Sequence, residues 1–245
     1  MKAYILAAGP GTRLRPLTNT IPKCLVPING KALLAYHLES LEAHGIYEIG
    51  MTARYLAEQV EAYVEEYGKA HKNMKIKFFY EPELLGSAGS LRYNQDFFAG
   101  EEYALVLHAD NFTNINYSRF IAFHKEKKGL ASIACYYEEH PESKGVVLCD
   151  ENNKIFQFIE KPKKELISTH NANGGMYIFN KEIFTYLAEL NANPLDFGND
   201  VFPYLLEKRA DLYAYIMTEF LLDIGTPETY AAAQEKVKEL HFDTV

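Results

Sequence analysis

The sequence predicts an α/β fold, with a mixed, mostly parallel central sheet flanked by helices. Three observations predict it. An apolar run from Lys2 to Ala7 stops abruptly at Gly9-Pro10-Gly11. Apolar residues then alternate between helical and strand spacing as far as Asp110. Beyond that point strand-like runs dominate the chain.

Lys2 to Ala7 is short, apolar and bounded by a glycine-rich turn, as a buried strand should be. Leu33, Leu34, Leu38 and Leu41 share one face of a helix that stops at Gly45, and Ile46 to Thr52 supplies the next strand. The alternation repeats: Leu56, Val60, Val64 and Tyr67 fall at helical spacing, and Ile76 to Tyr80 form a third strand. A helix is expected from about Ser87, then a strand from Tyr103 to His108 ending at Ala109-Asp110-Asn111. Strand followed by helix, repeated, implies parallel strands with helices on both faces. Such sheets bind ligands beyond the carboxyl ends of their strands, where the loop after the first strand and Asp110 both fall.

In the second half, strands are expected at Ala131 to Tyr137, Val146 to Cys149, Ile155 to Glu160, Gly175 to Phe179 and Leu212 to Met217. Helices are expected at Lys181 to Leu190, Asn199 to Lys208 and Pro227 to Leu240, the last with Thr226 as its N-cap and Pro227 in its first turn. No repeat, low-complexity segment or interdomain linker interrupts the chain. With 245 residues, 48% of them hydrophobic, a single domain spanning 1–245 around one core is expected.

The net charge of −8 argues against general binding to nucleic acid or anionic membrane, so any phosphate must be held by a local site. No run approaches the roughly 18 apolar residues that span a bilayer, nothing resembles a signal peptide, and the cytoplasm is the default expectation. Cys24, Cys135 and Cys149 are few and lack metal-type spacing, which makes them reduced packing residues rather than a disulfide or zinc scaffold.

The loop after the first strand reads Leu6-Ala7-Ala8-Gly9-Pro10-Gly11-Thr12-Arg13-Leu14-Arg15. Small residues let a ligand approach the backbone, exposed amides bind phosphate oxygens, and the arginines add charge. It lacks the Gly-Lys-Ser/Thr ending of a Walker loop and the third glycine of a dinucleotide fingerprint. Its glycines alone fit equally a tight turn with surface arginines.

The whole run from Leu6 to Thr18 nevertheless resembles the signature of the sugar-1-phosphate nucleotidyltransferases, a family that includes mannose-1-phosphate guanylyltransferases and glucose-1-phosphate uridylyl- and thymidylyltransferases. Pro22-Lys23-Cys24-Leu25-Val26-Pro27, followed by Lys31, resembles its second motif. Leu85-Gly86-Ser87-Ala88-Gly89-Ser90 is similar to its base-binding loop, Ala109-Asp110-Asn111 to its Gly-Asp metal motif, and Glu160-Lys161-Pro162 to its sugar-phosphate motif. Asn173-Gly174-Gly175-Met176-Tyr177 resembles the sugar-binding strand, and Asp223-Ile224-Gly225-Thr226-Pro227-Glu228 the second metal motif. The resemblance covers essentially the whole chain. It implies the family's Rossmann-like, GT-A-like fold, with a nucleotide-binding half at about 1–112 and a sugar-binding half at about 113–245. It also implies a chain that ends without the left-handed β-helix domain of longer relatives.

The resemblance implies a nucleoside triphosphate and a sugar 1-phosphate as partners, with Mg2+ as cofactor. Arg13 would stabilise the leaving pyrophosphate, Lys23 the α-phosphate, and Lys161 the incoming sugar phosphate. Asp110 and Asp223 would hold the metal. Leu6, Ala8, Gly9, Gly11, Thr12, Glu81, Gly86, Ser87 and Gly89 would line the nucleotide, and Asn111, Gly145, Glu160, Asn173 and Gly174 the sugar phosphate. The chemistry favours the same residue types, because an anionic oxygen attacking a phosphate makes charge crowding the main barrier. No general base is needed, since a phosphate monoester is already ionised. None of the eight histidines needs a catalytic role; His108 is either a support for Asp110 or a packing residue.

A carboxylate at Glu81 could accept from guanine N1–H and the amino group, and the wording around it is closest to guanylyltransferases, which points to GTP. Mannose 1-phosphate is the first expectation for the sugar, with a heptose or glucose 1-phosphate next. Uridylyl, thymidylyl or cytidylyl transfer stays open, as does phosphocholine as acceptor, with Tyr93, Tyr136, Tyr137 or Tyr177 as cage. Ala109 replaces the usual glycine, Cys24 a common proline, and Phe220 to Leu222 lack a frequent tryptophan; these departures bear on substrate rather than catalysis. A regulatory homologue would be expected to lose Arg13, Lys23, Asp110 or Asp223, and all four stand. A glycosyltransferase would show Asp-x-Asp where the chain has Asp110-Asn111-Phe112. Assembly as a homodimer or homotetramer, common among relatives, stays open.

Overall fold

The computed structural model describes residues 1–242. In chain order its elements are β1 (Lys2–Ala7), β2 (Pro27–Ile28), β3 (Lys31–Ala32), α1 (Leu33–Ala43), β4 (Glu48–Ala53), α2 (Ala57–Ala70), β5 (Lys75–Tyr80), α3 (Ser87–Tyr93), β6 (Tyr103–His108), β7 (Asn111–Thr113) and α4 (Tyr117–Lys127). There follow β8 (Ala131–Tyr137), β9 (Gly145–Cys149), β10 (Ile155–Glu160), β11 (Asn171–Asn180), α5 (Ile183–Glu189), α6 (Phe202–Glu207), β12 (Leu212–Ile216), β13 (Leu221–Asp223) and α7 (Pro227–Lys236). The fold is α/β, with a mixed, mostly parallel central sheet flanked by helices.

Two compact units interleave along the chain. The first comprises Met1–Leu84, Leu107–Tyr117 and the chain from Phe220 onward; the second comprises Leu85–Val106 and Ser118–Glu219.

In the first unit β1 pairs in parallel with β4, and β4 with β5. Leu33, Leu34, Leu38 and Leu41 are fully buried on α1, the stripe that their spacing predicts. The helix ends where Ile46 N–H reaches back to Leu41 O and Gly45 takes φ +74°. Ile46 therefore belongs to this cap, and the strand starts at Glu48 rather than at Ile46. A short antiparallel ladder pairs Asp223 with Asn111, Leu222 with Phe112 and Leu221 with Thr113. Leu14, Val26, Ile28, Leu33, Tyr36, Phe112, Ile224 and Ala233 pack into one buried cluster. That cluster joins the glycine loop, the Lys23 turn, β7 just after Asp110 and the segment just after Asp223 through their apolar residues, each fully buried large aliphatic or aromatic side chain contributing about 1.5–3 kcal/mol.

In the second unit β8 pairs antiparallel with β11 and parallel with β12, and β9 pairs antiparallel with β10. β11 runs from Asn171 to Asn180, longer than expected, because an irregularity between Asn173 and Tyr177 absorbs the Gly174-Gly175 pair without ending the strand. The helix expected from Asn199 begins instead as a π turn over Phe197–Val201 and continues as α6. Tyr177, Phe197 and Phe202 pack with ring centroids 5.0 to 5.8 Å apart beneath this turn. α7 has the expected Thr226 cap, a reciprocal capping box with Thr229, but ends at Lys236 rather than Leu240.

Candidate active site

The first unit gathers four of the expected residues at the carboxyl ends of its parallel strands. Lys23 lies in the first turn after Pro22, a short 3-10 segment whose Cys24 is buried, with its thiol pushed up to about 12 by burial. The Lys23 ammonium lies 2.6 Å from Asp110 Oδ2 and 3.6 Å from Asp223 Oδ1. Asp110 sits in the tight link between β6 and β7, where Ala109 N–H donates to Leu6 O and Ile224 N–H donates to Asp110 O. Burial opposes ionisation of Asp110, but the charges of Lys23 and His108 and the Lys23 hydrogen bond outweigh it, so its carboxyl is lowered to about 2.

Gly11 shows why a glycine stands between the first strand and Arg13. Its φ is +60°, and a Cβ there would lie 3.1 Å from Lys23 Cβ and 3.2 Å from Thr18 Cγ2. Thr18 Oγ1 donates to Gly11 O, fastening the loop over the lysine turn. Gly9 has open space around it, so its smallness answers no protein contact. Thr12 and Arg13 are exposed, and the Arg13 guanidinium lies 3.1 Å from the position of a Cβ on Gly225, two residues after Asp223. Arg13, Lys23, Asp110 and Asp223 thus lie close together, with Gly11 packed against the Lys23 side chain and the Leu6 carbonyl bonded beside Asp110. Asn111, by contrast, is buried on β7, only 6% exposed.

Glu81, at the end of β5, is 1% exposed. Thr52 Oγ1 donates to its Oε1 at 2.7 Å, while its buried Oε2 has no hydrogen-bond partner in the protein. The carboxylate is therefore fixed at a strand end and half satisfied.

In the second unit Gly86 and Gly89 flank Ser87 at the start of α3. Gly86 has φ +82°, and any Cβ on it would collide with the Leu195 carbonyl. Glu160 Oε2 lies 2.8 Å from the position of a Cβ on Gly145 and 2.6 Å from one on Gly198, so both glycines are needed for its seat. Burial raises the Glu160 carboxyl. Lys161 takes the left-handed conformation at φ +46°, its N–H bonded to Lys144 O and its side chain 66% exposed, 3.8 Å from Glu160 Oε1. This strained, projecting cation is the sort of residue that binding sites hold ready. Asn173 Oδ1 accepts from Gly175 N–H and its Nδ2 donates to Tyr177 OH, fixing the amide beside buried Gly174.

A family model for nucleotidyl transferases matches residues 2–239. The chain belongs to the nucleotidyl transferase family. The chain is 35% identical over 94% of its length to a UTP–glucose-1-phosphate uridylyltransferase from Synechocystis, covering 61% of that protein. It is 33% identical, again over 94%, to a mannose-1-phosphate guanylyltransferase catalytic subunit beta from Dictyostelium discoideum, covering 62% of it. The chain therefore spans about 60% of the length of these relatives. A crystal structure described as a glucose-1-phosphate thymidylyltransferase from Bacillus anthracis superimposes with a TM-score of 0.87 at 23% identity, covering 99% of this chain and 97% of that one, and shares its fold.

Two features of the site carry almost no signal in the sequence. Asp196 and Leu195 hold the Gly86 loop through contacts more than a hundred residues apart in sequence, which no local pattern signals. Thr52, the partner of Glu81, lies near the end of β4, an ordinary apolar strand; a lone threonine in such a run offers only a faint signal.

Proposed function

We propose that the chain transfers a nucleoside monophosphate, from GTP, to mannose 1-phosphate or a related hexose or heptose 1-phosphate, with Mg2+ as cofactor. The observation that carries this reading is the convergence of Asp110 and Asp223 on the Lys23 ammonium. An anionic oxygen of the sugar phosphate bonds to the α-phosphorus, the bond from that phosphorus to the β-phosphate oxygen breaks, and pyrophosphate departs. Lys23 neutralises the α-phosphate, Arg13 the departing pyrophosphate, and Lys161 the attacking phosphate. The glycine loop, at Leu6, Ala8, Gly9, Gly11 and Thr12, lines the triphosphate.

The donor set suits a hard divalent cation. Two carboxylates, Asp110 in the β6–β7 link and Asp223 on β13, already share one positive charge, and no group of three or more His, Cys, Asp or Glu residues competes among the described residues. Mg2+ is commonly held by one or two carboxylates, with phosphate oxygens and water completing its octahedron. When bound it supplies charge neutralisation across the nucleotide phosphates.

Guanine is supported by Glu81, whose unpaired Oε2 would accept a donor that uracil and thymine offer less fully. The Dictyostelium relative, a guanylyltransferase by name, points the same way. UTP with glucose 1-phosphate is the second reading, favoured by the Synechocystis relative. On the sugar side, Glu160 and the Asn173 amide are the hydroxyl-binding groups, with Gly145 and Gly174 letting the ring come close. Pyrophosphate release should be faster with GTP than with UTP, dTTP or CTP at equal mannose 1-phosphate; a clear preference for any of the other three contradicts the guanine assignment.

A further inference from the structure

We infer that Asp196 is a positioning residue that binds the Leu85–Ser90 loop and the Glu160 seat into one piece, so that a single carboxylate sets the affinity for both substrates. The consequence for substrates rests on the function proposed above; the clamp itself rests on geometry alone.

Asp196 accepts through Oδ2 from Ser87 Oγ at 2.8 Å, and Ser87 Oγ in turn accepts from Phe197 N–H at 3.0 Å. Its other oxygen, Oδ1, accepts from Gly198 N–H, Asn199 N–H and Asn199 Nδ2 at 2.9 to 3.1 Å. Asp196 N–H is itself held by Asp200 Oδ2 at 2.7 Å. The neighbouring residue extends the clamp: Leu195 O accepts from both Ala88 and Gly89 N–H at 3.0 Å, and Leu195 N–H donates to Leu85 O at 2.8 Å. Gly86 admits the Leu195 carbonyl where any side chain would strike it. On the far side of the same turn, Gly198 leaves room for Glu160 Oε2 and nothing larger.

The turn that Asp196 caps therefore touches the Leu85–Ser90 loop with one edge and the Glu160 carboxylate with the other. A π turn so short has little stability of its own, and the carboxylate supplies the acceptors its first amides need. Removing them releases Gly198 against Glu160 and frees Ser87 together. Charge adds a second link, because the negative charge of Asp196 is among the influences that keep the Glu160 carboxyl raised, after burial.

Three variants of the full chain, Asp196→Ala, Asp196→Asn and Ser87→Ala, test this, with the double variant Ser87→Ala/Asp196→Ala. Amide hydrogen exchange at Ala88 and Gly89 reads the clamp without any substrate, and pyrophosphate release reads its effect on each KM. Asp196→Ala should lose protection at both amides and raise KM for nucleotide and sugar phosphate by about tenfold each, with a smaller change in kcat. Asp196→Asn keeps an acceptor for the turn amides and should recover most of the sugar-phosphate KM. Ser87→Ala should raise the nucleotide KM alone, and the double variant should match Asp196→Ala, since both changes break one connection. Unchanged protection in Asp196→Ala, a shift in only one KM, or additive effects in the double variant would overturn the proposal. A wild-type protein that releases no pyrophosphate contradicts the proposed function instead, and hydrogen exchange still decides the clamp.

Discussion

Lys23 illustrates how much of the chemistry rests on single side chains. Two carboxylates from distant parts of the sequence approach its ammonium, an arrangement in which each carboxylate would repel the other without the cation between them. Asp110→Asn and Asp223→Asn should each lower Mg2+-dependent kcat/KM by about 100-fold or more, the loss of several kcal/mol of charge stabilisation, while the chain still shows a cooperative thermal transition. Steady-state rates beside calorimetry check this, and unchanged rates would contradict the metal assignment. Glu81→Gln keeps the shape but replaces an acceptor with a donor, so under the guanine reading proposed above kcat/KM for GTP should fall about tenfold relative to UTP, read from competition between the two nucleotides. At this scale the motif residues were legible because their types are dictated by phosphate charge. The buried position of Asn111 was not, since all three residues of β7 are buried and the strand is defined by pairing with β13, more than a hundred residues away.

At the scale of elements, the capping box of α7 begins directly after the Asp223-Ile224-Gly225 segment, so the cap steadies the approach to the site. Thr226→Ala should cost about 1 kcal/mol of stability, measured as a shift in the urea midpoint at constant slope. Gly86→Ala should cost more, about 1–3 kcal/mol, because it combines a left-handed backbone with a collision against the Leu195 carbonyl. Long periodic strands such as β1, β6, β8 and β10 were readable to the residue, since their apolar runs end at glycines or polar clusters. The β7–β13 ladder was not, because three-residue strands pair only through a contact more than a hundred residues distant. α4 was overlooked although Tyr117, Phe120 and His124 line its buried face at helical spacing. A histidine on the inner face, held by Ser132 and Asn180, obscures the pattern.

For the molecule as a whole, the interleaving of two units is invisible to local periodicity, because membership is decided by long-range pairing rather than by order along the chain. None of the described helices is long and apolar enough to cross a membrane. Stability should depend on pH through His37, which is 2% exposed and lowered by burial from 6.5 to about 4. Both states are neutral above about pH 6.5, so its contribution is complete there; below that the unfolded chain binds the proton more readily, and stability falls by up to about 1.4 kcal/mol per pH unit until about pH 4. His124, also lowered by burial, acts in the same direction. Asp110 loses its contribution only further down, towards about 2. Urea midpoints from pH 7 to 5 should decline, and His37→Gln should flatten that slope. Phosphorus NMR reads nucleotidyl transfer itself, with the protein, Mg2+ and each of four nucleoside triphosphates incubated against a panel of sugar 1-phosphates and phosphocholine. A new pyrophosphate diester should appear together with equimolar free pyrophosphate, strongest for GTP with mannose 1-phosphate or a related sugar; no diester from any pair would rule out the proposed transfer.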